Sequence, residues 1–120
     1  MKGKENILEL LDKQKKYIKT RETANIEFRL AQLLKLKKVI KENEKLLINA
    51  LHKDLRKSDF ESYTTEIGFL YHSINHILKY LPKWAKSKKV KNTLLNFGSK
   101  GYTVQEPYGT VLIIGAYNYP

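Results

Sequence analysis

Near the end of the chain stand four consecutive apolar residues, Val111-Leu112-Ile113-Ile114, with six residues after them. A short unbroken run of branched side chains reads as a strand buried on both faces, as in the parallel sheet of an α/β protein. Such a strand needs neighbouring strands, and the rest of these 120 residues does not supply them. The expectation is the opening of a longer α/β protein, mostly α-helical over this length with one or two strands at its C-terminal end. Residues 1–100 read as a helical segment and residues 101–120 as the first strands of a truncated region.

Upstream the apolar period is close to 3.6. Ile7, Leu11, Gln14 and Ile18 share one helical face, widened by Leu8 and Leu10, which predicts a helix over about 4–19, broken at 20–23. A second helix over about 25–42 places Phe28 or Leu30, Leu33, Leu34 and Ile40 inward and Lys35, Lys38 and Lys41 outward. Asn43 is placed to cap a third, in which Leu47, Ala50, Leu51 and Leu55 recur at helical spacing. It ends near Arg56-Lys57, where cations suit the carbonyl end of the helix dipole. Ser58 and Glu61 form a capping box opening a fourth helix, with Tyr63, Ile67, Leu70, Ile74 and Leu81 on its apolar face. Pro82 predicts an end or kink near Tyr80. Lys86 to Lys91 reads as a basic connector. Beyond Gly98 and Gly101, Tyr102-Thr103-Val104-Gln105 alternates as a half-buried strand, and Glu106-Pro107-Tyr108-Gly109 reads as a turn.

Charge narrows the functional classes. Lys and Arg number 23 against 12 Asp and Glu, a formal net charge of +11. It divides as +8 over residues 1–57, −1 over 58–84, +5 over 85–100 and −1 over 101–120. Lysine-rich solvent faces account for this pattern; the alternative is a self-contained basic helical module that binds nucleic acid or another acidic partner. No recognition-helix motif is visible and few aromatics are interleaved with the cations, so no nucleic-acid partner is expected. With 0 cysteines these residues hold no disulfide, thiolate metal site or cysteine nucleophile, which fits a reducing compartment. No apolar run has the length of a membrane span. Met1-Lys2-Gly3-Lys4-Glu5-Asn6 leads into an amphipathic stretch, which argues against a secretory signal. His72 and His76 lack a third ligand at a suitable offset, so no metal site is expected. Ser73 has no evident base, and Lys88-Lys89-Val90-Lys91 reads as a solvated linker before it reads as a phosphate site.

Two ordered blocks carry a family resemblance. Residues 106–120, Glu-Pro-Tyr-Gly-Thr-Val-Leu-Ile-Ile-Gly-Ala-Tyr-Asn-Tyr-Pro, resemble the E-P-x-G-x-V-x-x-I-x-P-W-N-F/Y-P stretch of the NAD(P)-dependent aldehyde dehydrogenases. Residues 57–68, Lys-Ser-Asp-Phe-Glu-Ser-Tyr-Thr-Thr-Glu-Ile-Gly, resemble the K-S-x-x-E-x-Y-x-x-E segment of the class 3 branch, as does the Leu81-Pro82-Lys83-Trp84 tail. The similarity covers roughly residues 28–120. Where the family usually has Pro-Trp before the asparagine, this chain has Ala116-Tyr117, a departure that bears on substrate preference.

The resemblance implies oxidation of an aliphatic or aromatic aldehyde to its acid with NAD or NADP, through a cysteine thiohemiacetal and thioester. It implies that Asn118 is an oxyanion donor, that Ile114, Gly115 and Tyr117 approach the nicotinamide ribose mainly through backbone, and that Tyr117 lines the aldehyde approach. Residues 101–120 would open the cofactor-binding and oligomerisation region. The parent enzyme is expected to be a cytoplasmic homodimer. The nucleophile, the general base and the cofactor-ribose residues lie beyond Pro120, so these 120 residues alone are expected to be inactive and to bind no cofactor. Their exposed strand is expected to self-associate.

Overall fold

A computed structural model describes residues 7–120. The first residues of the expected helix over 4–19, and the leader reading of residues 1–6, lie outside the described residues. Helix α1 (Ile7–Lys19) stops where the Thr20 hydroxyl donates to the Tyr17 carbonyl at 2.7 Å and Arg21 turns left-handed, φ 62°. A short 3-10 turn (Glu22–Ala24) leads to helix α2 (Ile26–Glu42), capped by Asn25, whose Oδ1 accepts from the Phe28 N–H at 3.2 Å.

Helix α3 (Glu44–Leu55) follows after one residue, Asn43. Asn43 does not cap it with its side chain: Nδ2 donates to the Val39 carbonyl at 2.8 Å and so closes α2. Its backbone, φ −107° and ψ 12°, is not the extended conformation of an N-cap, so the side chain serves the helix behind it. Arg56, at φ 57°, ends α3.

One continuous rod then runs from α4 (Asp59–Ser62) through a π-helical turn (Tyr63–Ile67) into α5 (Gly68–Trp84). Ser58 caps it as expected, its Oγ accepting from the Glu61 N–H at 3.2 Å. Of the expected end or kink near Tyr80, the end is corrected: the rod passes through Pro82 to Trp84. Pro82 removes only the N–H that would reach Leu78, and the Ala85 N–H still bonds the Leu81 carbonyl at 3.0 Å, so the last turn closes around it. Helix α2 lies along α5, where Lys37 Nζ donates to Asn75 Oδ1 at 2.7 Å.

The basic connector is also corrected. Its middle forms β1 (Lys88–Val90), antiparallel to β2 (Gly101–Thr103), with Lys89 opposite Tyr102. Asn92 Nδ2 donates to the Ser99 carbonyl at 2.8 Å and ties the intervening loop, which holds a 3-10 turn (Leu94–Asn96). A Cβ at Gly101 would stand 2.5 Å from Asn92 Oδ1, so a larger residue there would make that side chain shift. Val104 and Gln105 fall outside the ladder, and residues 106–109 make no hydrogen-bonded turn. Residues 111–114 are not in a strand in this structure. A strand is a pairing, and the two-stranded hairpin is the only sheet among the described residues, so the run lies exposed.

The helices make one side of a core without closing it. Among the described residues the buried apolar side chains are Ile67 and Ile74. The accessible surface is 11036 Å², where a compact protein of 14.1 kDa exposes roughly 6,700 Å². The radius of gyration is 20.2 Å, where about 14 Å is usual for a globular chain of this length.

Candidate functional site

Asn118 lies in the last, extended segment, at a bend over 117–118, with its side chain exposed and no hydrogen bond to the rest of the protein. Ile114 and Tyr117 are exposed as well, and a Cβ placed on Gly115 would meet nothing within 4 Å. The four expected site residues therefore share one open stretch of backbone.

The contact between this segment and the helices is made by the next residue. Tyr119 has φ 54°, a left-handed backbone that a bulky residue adopts only under constraint. Its ring lies under Lys57 Nζ, 4.2 Å from the ring centroid. With Pro120 it closes one end of a groove of about 670 Å³, whose apolar walls include Leu47, Leu51, Leu55, Ile67 and Leu70.

Lys57 is the hub of this corner. Expected as a cation at a helix end, it is 8% exposed. Its Nζ is paired with the Glu66 carboxylate and stands 3.5 Å from Thr65 Oγ1, and its carbonyl lies 3.0 Å from His52 Nδ1. The carbonyl can only accept, so that imidazole carries its proton on Nδ1. Two buried opposite charges are held together because each would be costly alone.

The π-helical turn explains how Thr65 and Glu66 both reach Lys57. Its wider turn is closed by the Gly68 N–H bonding the Tyr63 carbonyl, five residues back, and it changes the phase of the side chains along the rod. Gly68 permits it, since a Cβ there would stand 2.9 Å from the Tyr63 oxygen. Sequence reasoning placed Lys57 and Glu66 at the two ends of the class 3-type block but gave them no role, and it missed this turn, for which a glycine in the middle of an apolar helical period was the signal available. His76 packs in an aromatic ladder, its ring 4.6 Å from Tyr80, which stacks on Trp84 at 6.0 Å. No described helix is long and apolar enough to cross a membrane.

The family model for the aldehyde dehydrogenase family matches residues 1–120. This chain belongs to the aldehyde dehydrogenase family. The match is wider than the resemblance over residues 28–120, and it leaves the basic nucleic-acid module without support. Among aldehyde dehydrogenases, the chain is 46% identical over 106 residues to the 4,4'-diaponeurosporen-aldehyde dehydrogenase of Staphylococcus aureus, covering 88% of this chain and 23% of that one. It is 36% identical over 114 residues to the dimeric NADP-preferring aldehyde dehydrogenase of Canis lupus familiaris, covering 95% and 25%. It is 40% identical over 95 residues to aldehyde dehydrogenase family 3 member A2 of Macaca fascicularis, covering 79% and 20%. The fold matches a solved substrate-bound state of Staphylococcus aureus AldH with a TM-score of 0.90 at 44% identity, over 95% of this chain and 25% of that one. The chain thus spans about a quarter of the length of these relatives, and its helical character with a C-terminal hairpin is that of this region of an aldehyde dehydrogenase fold.

Proposed function

We propose that these residues are the N-terminal part of a class 3-type enzyme that oxidises an aldehyde to a carboxylic acid with NAD or NADP, and that Asn118 is its oxyanion donor. The observation that carries the reading is the Asn118 amide, exposed and bound to no other protein group, inside a segment with the family's motif. A donor for developing charge has to be preorganised, and it has to be free of internal bonds. When a thiolate from the longer protein attacks the aldehyde, the carbonyl oxygen takes on negative charge, and the Asn118 Nδ2–H group meets it.

The residues fit a nicotinamide nucleotide in one respect. The backbone of residues 114–117 makes no hydrogen bond within the protein, and the space around Gly115 is open, so a ribose can approach. Ile114, Gly115 and Tyr117 would hold it; when bound, the group supplies the hydride acceptor. Tyr117 would line the aldehyde approach. The 120 residues hold no cysteine, so they contribute the donor and not the nucleophile.

The exposed apolar residues 111–114, with Leu94, Leu95 and Phe97, support packing against the remainder of a longer enzyme. The relative named as dimeric and NADP-preferring supports a homodimeric, NADP- or NAD-using parent, which we place in the cytoplasm. The test is to express the complete reading frame and follow NAD(P)H formation from hexanal and benzaldehyde. Activity is expected, and Asn118→Ala should lower kcat by about two to three powers of ten. No aldehyde-dependent reduction of either nucleotide would overturn the reading.

A further inference from the structure

We propose that Lys57 is a positioning residue for the Asn118 amide and acts through the ring of Tyr119. The proposal rests on Asn118 being the oxyanion donor. Nothing bonds the Asn118 side chain directly, so its position follows from the backbone around it. On one side Tyr117 is 95% exposed and anchors nothing. On the other side Tyr119 reaches the helices, and its φ of 54° is a conformation that contacts have to hold. The contact is Lys57 Nζ, 4.2 Å from the ring centroid, a cation over an aromatic face.

Lys57 is itself fixed from three sides. Its Nζ is paired with Glu66 and lies 3.5 Å from Thr65 Oγ1, its carbonyl is bonded to His52, and the residue is 8% exposed. The π-helical turn sets Glu66, Glu66 sets Lys57, and Lys57 sets Tyr119, one peptide unit from the donor. A salt bridge serving stability alone has no need to end on the residue next to the site. The Lys57 and Glu66 side chains are 9% and 10% exposed, so the cation is held in place by its carboxylate, while the Tyr119 ring it faces stays 59% exposed. Stabilising the oxyanion acts in the transition state more than on bound substrate, so a displaced donor lowers kcat and leaves KM.

The test uses the full-length enzyme with hexanal and saturating NAD or NADP. Lys57→Met combined with Glu66→Gln removes both buried charges together; Tyr119→Leu removes the ring and leaves the ion pair. Each is expected to lose about 10- to 100-fold in kcat with KM within about twofold, the scale of an ångström of misplacement. Tyr119→Phe keeps the ring and should stay within about twofold of the parent. Added to Asn118→Ala, none of these should lower kcat further, because the group they position is gone. If the folded Lys57→Met/Glu66→Gln variant or Tyr119→Leu keeps kcat within about twofold, or if their losses multiply with that of Asn118→Ala, the proposal is overturned. If the double variant fails to fold, Tyr119→Leu decides alone. If Asn118→Ala itself leaves kcat unchanged, the oxyanion reading has failed and the positioning role falls with it.

Discussion

The Tyr71 hydroxyl donates to a carboxylate oxygen of Glu44 across 2.8 Å, joining the first turn of α5 to the first turn of α3. Both side chains are half-buried, and the Glu44 charge also suits the N-terminal end of its helix. Burial and then this carboxylate push the Tyr71 phenol from 10.0 up to about 12. A phenol whose folded pKa is raised binds its proton more tightly in the fold, so its stabilisation is complete below pH 10 and is lost as pH rises toward 12. Tyr71→Phe should cost about 1–2 kcal/mol in the longer protein near neutral pH. The gap between parent and variant should close above pH 10, as read by denaturant midpoints.

Gly68→Ala tests the π-helical turn. The new methyl would stand 2.9 Å from the Tyr63 carbonyl oxygen, a backbone atom that cannot rotate away. A loss of about 1–3 kcal/mol is expected, measured by chemical denaturation of the longer protein. Activity should fall along with stability, because Glu66 sits within the same turn.

Two serines four residues apart should respond in opposite ways. Ser58 caps α4 through its Oγ, so Ser58→Ala should cost about 1 kcal/mol. Ser62 is fully buried, with an Oγ that has no partner, so Ser62→Ala should be neutral or stabilising by up to about 1 kcal/mol. Paired thermal melts of the two variants check both signs.

The 120 residues taken alone should self-associate. Leu94, Leu95 and Phe97 are more than 90% exposed, and residues 111–114 form an unpaired apolar run. Such surface associates with itself when its natural cover is missing. Light scattering should give a mass that rises with concentration; a constant 14.1 kDa over a wide range would count against it.

Apolar period made the helices legible along the chain, and at Ser58 a local signal also marked where one begins. Ser58 could be read as a cap because the N–H group it satisfies lies three residues away, a distance the chain covers with no help from packing. Pro82 misled for the same local reason: its missing N–H is a local fact, but whether a terminal turn tolerates that loss depends on what else closes it. Asn118 became a candidate through its motif and not through its own chemistry, since an asparagine before Tyr119-Pro120 is an ordinary turn residue. Lys57 was beyond local reasoning. Its partners stand at 52, 65, 66 and 119, and only packing shows that a lysine at a helix end is buried and turned toward the last residues of the chain. Residues 111–114 show the same division: the apolar run is a property of the sequence, and becoming a strand is a property of whatever lies beside it. Capping and periodicity act over a few residues and are written in order along the chain, whereas the ion pair, the ring contact and strand pairing join groups that only the tertiary structure brings together.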